Sequence, residues 1–349
     1  MTNGNHQPDH AGSGSVPCAA GNRRALRLGT RGSALALAQS TLVATWVRER
    51  LGREVELVRI ATAGDRSQEA ISQIGGTGVF VSALREALLA GEIDFAVHSL
   101  KDLPTVTPAG LVLAAVPPRA DPRDVMVTPS GRLLDEFGPG TRVGTGSPRR
   151  AAQLRALGLG LNVVPIRGNV DTRIKKAIDG VVDAVVLAHA GLDRLDRLDA
   201  VTEVLDANVM VSAAGQGALA VECAADPDVL ESGFDRVDPY RRRGTLAELL
   251  RFALDDPPSR IAVAAERAYL AAIEAGCSAP IGALADVRTA SDGAPDAGAI
   301  RLRAVVASPE GNGVLRREII GPADHPEALG ERLADEMLSA GAQTLMGNR

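Results

Sequence analysis

Between Ala25 and Arg194 the chain alternates short apolar runs with helix-period runs, and glycine, serine and arginine collect where one gives way to the other. Apolar stretches of about four to eight residues bounded by such turns read as strands, and the 3.6-residue pattern beyond them reads as helix. The alternation implies α/β units with parallel strand pairing. Three of the turns are dense in arginine: Gly144-Thr145-Gly146-Ser147-Pro148-Arg149-Arg150, Arg167-Gly168-Asn169-Val170-Asp171-Thr172-Arg173 and Gly191-Leu192-Asp193-Arg194. Each follows a predicted strand and opens a predicted helix, which is where a sheet-and-helix domain gathers its ligand groups. Arginine offers a planar fork that pairs a carboxylate bidentately. Several forks converging on one crevice imply a small ligand carrying many carboxylates.

The first alternating set comprises a strand at Ala25–Gly29, a helix capped by Ser33 and stopped by Gly52, and a strand at Glu54–Thr62. A polar, glycine-rich loop at Thr62–Gly78 leads to a helix at Val79–Ala90, a buried strand at Ile93–His98 and a strand at Leu111–Val116. Pro117-Pro118 and Asp121-Pro122-Arg123-Asp124 mark a crossover. The second set has strands at Asp124–Thr128, Thr141–Gly144, Asn162–Ile166 and Asp183–Ala188, with helices at Pro148–Leu157, Val170–Asp179 and from Ala190. A strand at Ala218–Cys223, preceded by Gly215-Gln216-Gly217, is expected to return to the first domain. Arg236–Ser259, with Arg241-Arg242-Arg243, reads as a solvated insertion, a surface helix or loop. The tail, with a helix at Ile261–Ala275, three strands and a last helix at Pro326–Ala340, reads as a separate α+β domain. The expected organisation is a disordered tail (1–22), a discontinuous first domain (23–117 with 212–237), a second domain (118–211) and a third (238–349).

Composition narrows the function classes. The formal net charge is -5, against polyanion binding, and aromatics supply only 2% of the 349 residues, too few for a platform that stacks single-stranded nucleic acid. No apolar run is long enough to cross a bilayer. Lysine occurs only at positions 101, 175 and 176. A GC-rich genome favours arginine over lysine, so arginine placement is informative and arginine number is not. The three cysteines, Cys18, Cys223 and Cys277, have no CxxC spacing, which argues against a disulfide framework and for a reducing compartment. None of the five histidines is spaced as a metal-ligand pair with another His or with Cys. The N-terminal residues lack a basic start followed by an apolar core, so a secretory signal is not expected and the cytoplasm is.

Several positions can carry chemistry. In His98-Ser99-Leu100-Lys101-Asp102-Leu103-Pro104, at the end of a buried strand, Asp102 can exchange protons or stabilise a cation, and Lys101 can hold an anion. A solvated turn with a local ion pair is the plainer alternative. Arg31 and Ser33 lie where a helix N-terminus offers N–H groups to an anion, although Ser33 can equally be a simple cap. Arg149 and Arg150 in a first helical turn are locally unfavourable by ~0.3–1 kcal/mol, a cost that a bound anion would offset. Gly75-Gly76-Thr77-Gly78 lacks the lysine of a phosphate-binding P-loop and reads as a lid or tight turn. Cys277 sits just past a helix, in a loop. Most lone cysteines are small buried hydrophobes, and Cys223, in a strand, reads as core.

Taken in order, Arg27–Ser33, His98–Pro104, Asp121–Asp124, Gly144–Arg150, Arg167–Arg173, Gly215–Gly217 and Gly276–Gly282 resemble the porphobilinogen deaminase (hydroxymethylbilane synthase) family. That resemblance implies two domains similar to the halves of a type II periplasmic binding protein, with the active site in their cleft, and a small C-terminal α+β domain. It implies a dipyrromethane cofactor joined to Cys277 by a thioether, on which four porphobilinogen units condense head to tail with loss of ammonia. Hydrolysis then frees hydroxymethylbilane. It further implies that Asp102 is catalytic, that Lys101, Ser147, Arg149, Arg150 and Arg173 hold the cofactor, and that Arg31, Ser33, Arg167, Arg173 and Arg194 hold substrate carboxylates. No metal, nucleic acid or membrane is implied, and the family suggests a monomer. Thr77 stands where the family often has lysine, Pro148 where it often has leucine, and 236–259 looks longer than the usual link. The rival class is an anion-binding receptor or effector domain on the same two-lobed fold, which leaves Cys277 and the third domain without a purpose.

Overall fold

Leu26, Leu28, Phe95 and Val97 are apolar at alternate positions of two short runs, and their burial starts the first lobe. The computed structural model describes residues 24–61, 79–225, 244–273, 279–288 and 298–346. In it β1 (Leu26–Thr30) leads into α1 (Ala34–Leu51), which Ser33 opens by accepting a hydrogen bond from the Ala36 N–H (3.3 Å). The helix stops at Gly52, whose N–H reaches the Arg48 carbonyl at 3.0 Å. Then come β2 (Val55–Arg59), α2 (Val79–Leu89), β3 (Phe95–Ser99) and β4 (Leu111–Ala115). The second lobe contains β5 (Asp124–Val127), β6 (Arg142–Thr145), α3 (Pro148–Arg155), β7 (Asn162–Pro165), α4 (Val170–Ile178), β8 (Ala184–Ala188), α5 (His189–Asp193) and β9 (Glu203–Val204). The chain then returns as β10 (Leu219–Ala224).

Both sheets have five strands, ordered β2-β1-β3-β10-β4 and β7-β6-β8-β5-β9. The purely parallel pairing expected from the alternation holds only in part. β10 runs antiparallel to β3 and β4, and β5 antiparallel to β8 and β9. These are the strands on which the chain arrives from the other lobe. They follow no covering helix, and antiparallel neighbours need none. The result is a two-lobed α/β body with one mixed five-stranded sheet in each lobe.

The two crossing segments lie against each other. The Gly217 carbonyl accepts from the Ala120 N–H (3.3 Å), and a Cβ on Gly217 would stand 2.4 Å from the Ala120 carbonyl oxygen. Its φ of +86° is a second reason for glycine there. The Ser212 hydroxyl and the Gln216 amide both donate to the Pro122 carbonyl, at 2.6 and 2.7 Å.

The segment 236–259 departs from its expected solvated character. Residues 226–243 lie outside those described, but α6 (Leu246–Leu254) buries Leu246, Leu250 and Leu254 in the first lobe's core, against the cluster that includes Val43 and Phe95. Leucines four residues apart share a helix face, and that stripe outweighs the charge around it. Thr245 and Glu248 form a capping box.

The third unit begins with α7 (Pro257–Ala272), four residues earlier than expected, because Asp256 caps the helix through the Ser259 N–H (3.0 Å) and proline suits the first helical turn. An antiparallel sheet of β11 (Ile281–Val287), β12 (Ala299–Ala307) and β13 (Val314–Pro322) packs against α7 and α8 (Pro326–Ser339). The chain closes with α9 (Ala342–Met346), which sequence patterning does not signal. Leu284 and Val305, on the sheet's other face, meet Ala207 and Val211 of the second crossing.

Candidate active site

The strands β1 and β3 are parallel neighbours, so the turns after them share one edge of the first sheet. Arg31 and Ser33 occupy the first turn. Lys101 and Asp102 occupy the second, in a 3-10 turn Leu100–Asp102 that leaves β3 directly. The other lobe repeats the arrangement: β6 is parallel to both β7 and β8, which brings Ser147, Arg149 and Arg150, then Arg167 and Arg173, then Arg194 to one edge. Gly146 permits this crowding. A Cβ there would meet the Ile166 carbonyl oxygen at 2.7 Å and come within 3.9 Å of Arg173 Nη2.

Arg149 and Arg150 are almost fully buried, and the anion that balances them is Asp124, the first residue of β5. Asp124 Oδ1 accepts from Arg150 Nη2 (2.7 Å) and Nε (3.1 Å), and Oδ2 lies 2.8 Å from Arg149 Nη1. The guanidiniums are tied further to the carbonyls of Val211 (2.5 Å) and Val186 (3.0 Å). The Gln216 amide adds a third donor to Asp124 Oδ1 at 2.8 Å. Burial alone would raise the Asp124 pKa, but the two guanidiniums outweigh it and hold the carboxyl far below its ordinary value. The compensating anion required by two arginines in a first helical turn is thus supplied by the protein itself. One carboxylate against two guanidiniums still leaves positive charge over.

Lys101 brings the lobes together electrically. Its ammonium feels Asp102 on its own turn and Asp124, Arg149 and Arg150 across the cleft. Lys101 and Asp102 are both exposed. Desolvation by the surrounding protein atoms, reinforced by Arg150 and Arg149 and partly offset by Asp102 and Asp124, pushes the Lys101 pKa down to about 8. Burial and then Arg150 lower the Arg173 pKa, and burial, partly offset by Asp193, lowers that of Arg194 to about 10. Four cations, Lys101, Arg149, Arg150 and Arg173, therefore stand with two carboxylates, Asp102 and Asp124.

The remaining expected residues are placed less tightly. The Ser33 and Ser147 hydroxyls cap α1 and α3. Arg31 is half-buried and Arg167 exposed, each at the end of its strand. Arg194 donates to the Gly217 carbonyl (2.6 Å), so it braces the crossing as well as facing the cleft edge. Cys277 and Thr77 lie outside the described residues. Cys223 is fully buried in β10, where burial, with Glu222 adding to it, pushes its thiol up to about 12. It is a core side chain, as the sequence suggests.

Patterning alone assigns no role to Asp124 or Gln216, and none to a second buried group behind the Lys101–Asp102 turn. There, Glu222 accepts from Arg85 (2.8 and 3.0 Å) and lies 3.2 Å from His98 Nε2. Arg267 of α7 donates to the carbonyls of Leu103, Pro104 and Thr105, which fixes the chain that follows Asp102. A charged residue at the head of an apolar run, as Asp124 is, was the available signal.

A family model described as porphobilinogen deaminase, dipyromethane cofactor binding domain, matches residues 26–232, and a second, described as porphobilinogen deaminase, C-terminal domain, matches residues 260–339. Porphobilinogen deaminase 1 of Streptomyces coelicolor is 54% identical over 334 residues, which cover 93% of this chain and 98% of that one. The porphobilinogen deaminase of Nocardia farcinica is 48% identical over 328 residues, covering 92% and 88%. Among solved structures, the methionine binding protein MetQ aligns at 12% identity with a TM-score of 0.39, over 65% of this chain and 89% of that one. The match over 260–339 falls on the third unit, for which a two-lobed receptor has no use.

Proposed function

The chain belongs to the porphobilinogen deaminase family, and on that premise we propose that it condenses four porphobilinogen molecules head to tail, with loss of ammonia, and releases hydroxymethylbilane. The observation that carries the reading is the charge of the cleft: among the described residues, Lys101, Arg149, Arg150 and Arg173 act on one another together with Asp102 and Asp124. Such a donor set fits a ligand with several carboxylates. Each pyrrole of the family's dipyrromethane cofactor carries an acetate and a propionate, so Lys101, Ser147, Arg149, Arg150 and Arg173 would hold it. When bound, it supplies the primer ring to which the first substrate unit is joined.

Arg31, Ser33, Arg167, Arg173 and Arg194 are assigned to the carboxylates of the incoming substrate. Asp102 is assigned the reacting centre. Ammonia leaves the substrate's aminomethyl carbon as the C–N bond breaks, and a cationic methylene-pyrrole remains. A carboxylate about 4 Å away stabilises such a cation by roughly 4 kcal/mol at an effective dielectric of about 20. The same carboxylate can accept the ring proton released as the new C–C bond forms. Cys277 is assigned as the attachment point, a reading supported by the protonated, inaccessible state of the Cys223 thiol. The same reading divides the chain into a first lobe built from 23–117 and 212–237, with α6 packed on it, a second lobe at 118–211, and the remainder as a third unit. A sparse cysteine set of odd number suits the cytoplasm, and a monomer is expected. Among the described residues no helix is long and apolar enough to cross a membrane.

Intact mass of the denatured protein, followed by peptide mapping, tests this. Added mass equal to two linked pyrrole units on the peptide bearing Cys277 supports the reading. An unmodified chain that gains the adduct on incubation with porphobilinogen supports it equally. A chain that never gains it, or a Cys277→Ala variant that still does, refutes it.

A further inference from the structure

We propose that Asp124 is a positioning residue of this site: its carboxylate, seated between two guanidiniums, sets the direction in which Arg149 and Arg150 meet the cofactor's carboxylates. The inference rests on the cofactor-binding role proposed for those arginines. Asp124 is fully buried, with Oδ1 hydrogen-bonded by Arg150 and Gln216, and Oδ2 held by the Arg149 ion pair at 2.8 Å without a hydrogen bond. Among the described residues no second carboxylate contacts either guanidinium. Each arginine is held at a further point, Arg149 by the Val211 carbonyl and Arg150 by the Val186 carbonyl. Long, rotamer-rich side chains are thereby fixed before any ligand arrives, which removes an ordering cost from binding.

The count of charges matters as much as the geometry. With no carboxylate, two adjacent buried guanidiniums would repel each other and swing apart. With two, the pair would be neutralised and hold a ligand anion poorly. A single aspartate keeps the forks side by side and leaves positive charge over. Gln216 ties the same oxygen to the crossing segment whose next residue, Gly217, receives Arg194.

The test compares the wild-type chain with Asp124→Asn, Asp124→Glu and Gln216→Leu, following the rate at which apoprotein gains the dipyrromethane mass on incubation with porphobilinogen. Circular dichroism and Tm report folding. Asp124→Asn preserves shape and removes charge, and it should load roughly 10- to 100-fold more slowly while folded, as expected when binding groups lose their alignment. Asp124→Glu, which restores the charge on a longer stem, should recover part of the rate. Loading should fall off as the Lys101 ammonium, with its pKa of about 8, loses its proton, and in Asp124→Asn that fall should come at lower pH. Lys101 then faces Arg149, Arg150 and Asp102 without Asp124. A purely structural role would lower Tm and leave loading rate and pH profile unchanged. Loading of Asp124→Asn at the wild-type rate overturns the proposal. If that variant does not fold, Gln216→Leu decides: several-fold slower loading supports the role, and an unchanged rate overturns it. Failure of the wild-type chain to load overturns instead the functional reading on which the proposal rests.

Discussion

Lys101 and Asp102 occupy one short turn, and that turn gains its character from groups that are distant in sequence. Asp102→Asn should reduce turnover by roughly 10²- to 10⁴-fold, the range in which positioned acid–base and electrostatic groups act, while the circular dichroism spectrum and Tm stay near wild-type. Near-normal kcat in that variant would remove Asp102 from the chemistry. The residues on each turn were legible in the sequence because strand ends and helix starts carry recognisable punctuation. What balances them was not. Asp124 reaches Arg149 and Arg150 through the order of the sheet, β5 beside β8 and β8 beside β6, and nothing in a linear pattern says which strand ends will be neighbours. The arginines at a helix start did signal an anion, since positive charge is disfavoured there, but that signal is the same for a ligand carboxylate and for a buried aspartate.

At the scale of the element, caps decided what could be read. α1 is bounded by Ser33 and Gly52, and α7 by Asp256 with a proline in its first turn. The Pro257-Pro258 pair fits a first helical turn once Asp256 is counted as its cap, and apolar periodicity alone starts the helix only at Ile261. α6 was hidden differently. Its neighbours in sequence are charged, and only the four-residue spacing of Leu246, Leu250 and Leu254 reveals a buried face. Leu250→Ala should therefore destabilise the protein by about 2–5 kcal/mol, as for other leucines in a packed core, measurable as a lower urea midpoint. A change within about 0.5 kcal/mol would mean that the helix is a surface addition after all. The antiparallel strands β5 and β10 escaped an alternation argument because their connections cross between lobes and carry no helix that sequence periodicity could detect.

In the whole molecule, one buried carboxylate joins three parts of the chain. Glu266, fully buried in α7, accepts from Arg119 of the first crossing (2.6 and 3.1 Å), from the Gly215 N–H of the second (2.6 Å) and from the Ala285 N–H of β11 (2.8 Å). Arg316 of β13 reaches the Val209 carbonyl at 3.0 Å, and Arg155 of α3 the Pro309 carbonyl at 2.7 Å. The third unit is thus bound to both lobes, and the chain should unfold in one calorimetric transition. Removing one partner of a buried pair costs about 3–5 kcal/mol, so Glu266→Ala should split that transition in two. A single transition in the variant would show that the junction does not couple the units. Acid should act through Glu222. Burial raises its pKa, but His98 and Arg85 outweigh that and hold it at about 2, below the ordinary 4.5. Its contribution is therefore complete above pH 4.5 and is lost as pH falls towards 2. The loss should be on the order of 3 kcal/mol and should appear as a falling urea midpoint over that window.

The contact between Ala120 and Gly217 restricts how the lobes can move. Two backbones that touch, with no room for a side chain between them, act like a pair of cords lying side by side. Such a pair can flex across its common plane, but twisting about one cord would drive the other into it. The two crossings therefore behave as one double strap between the lobes rather than as two independent linkers.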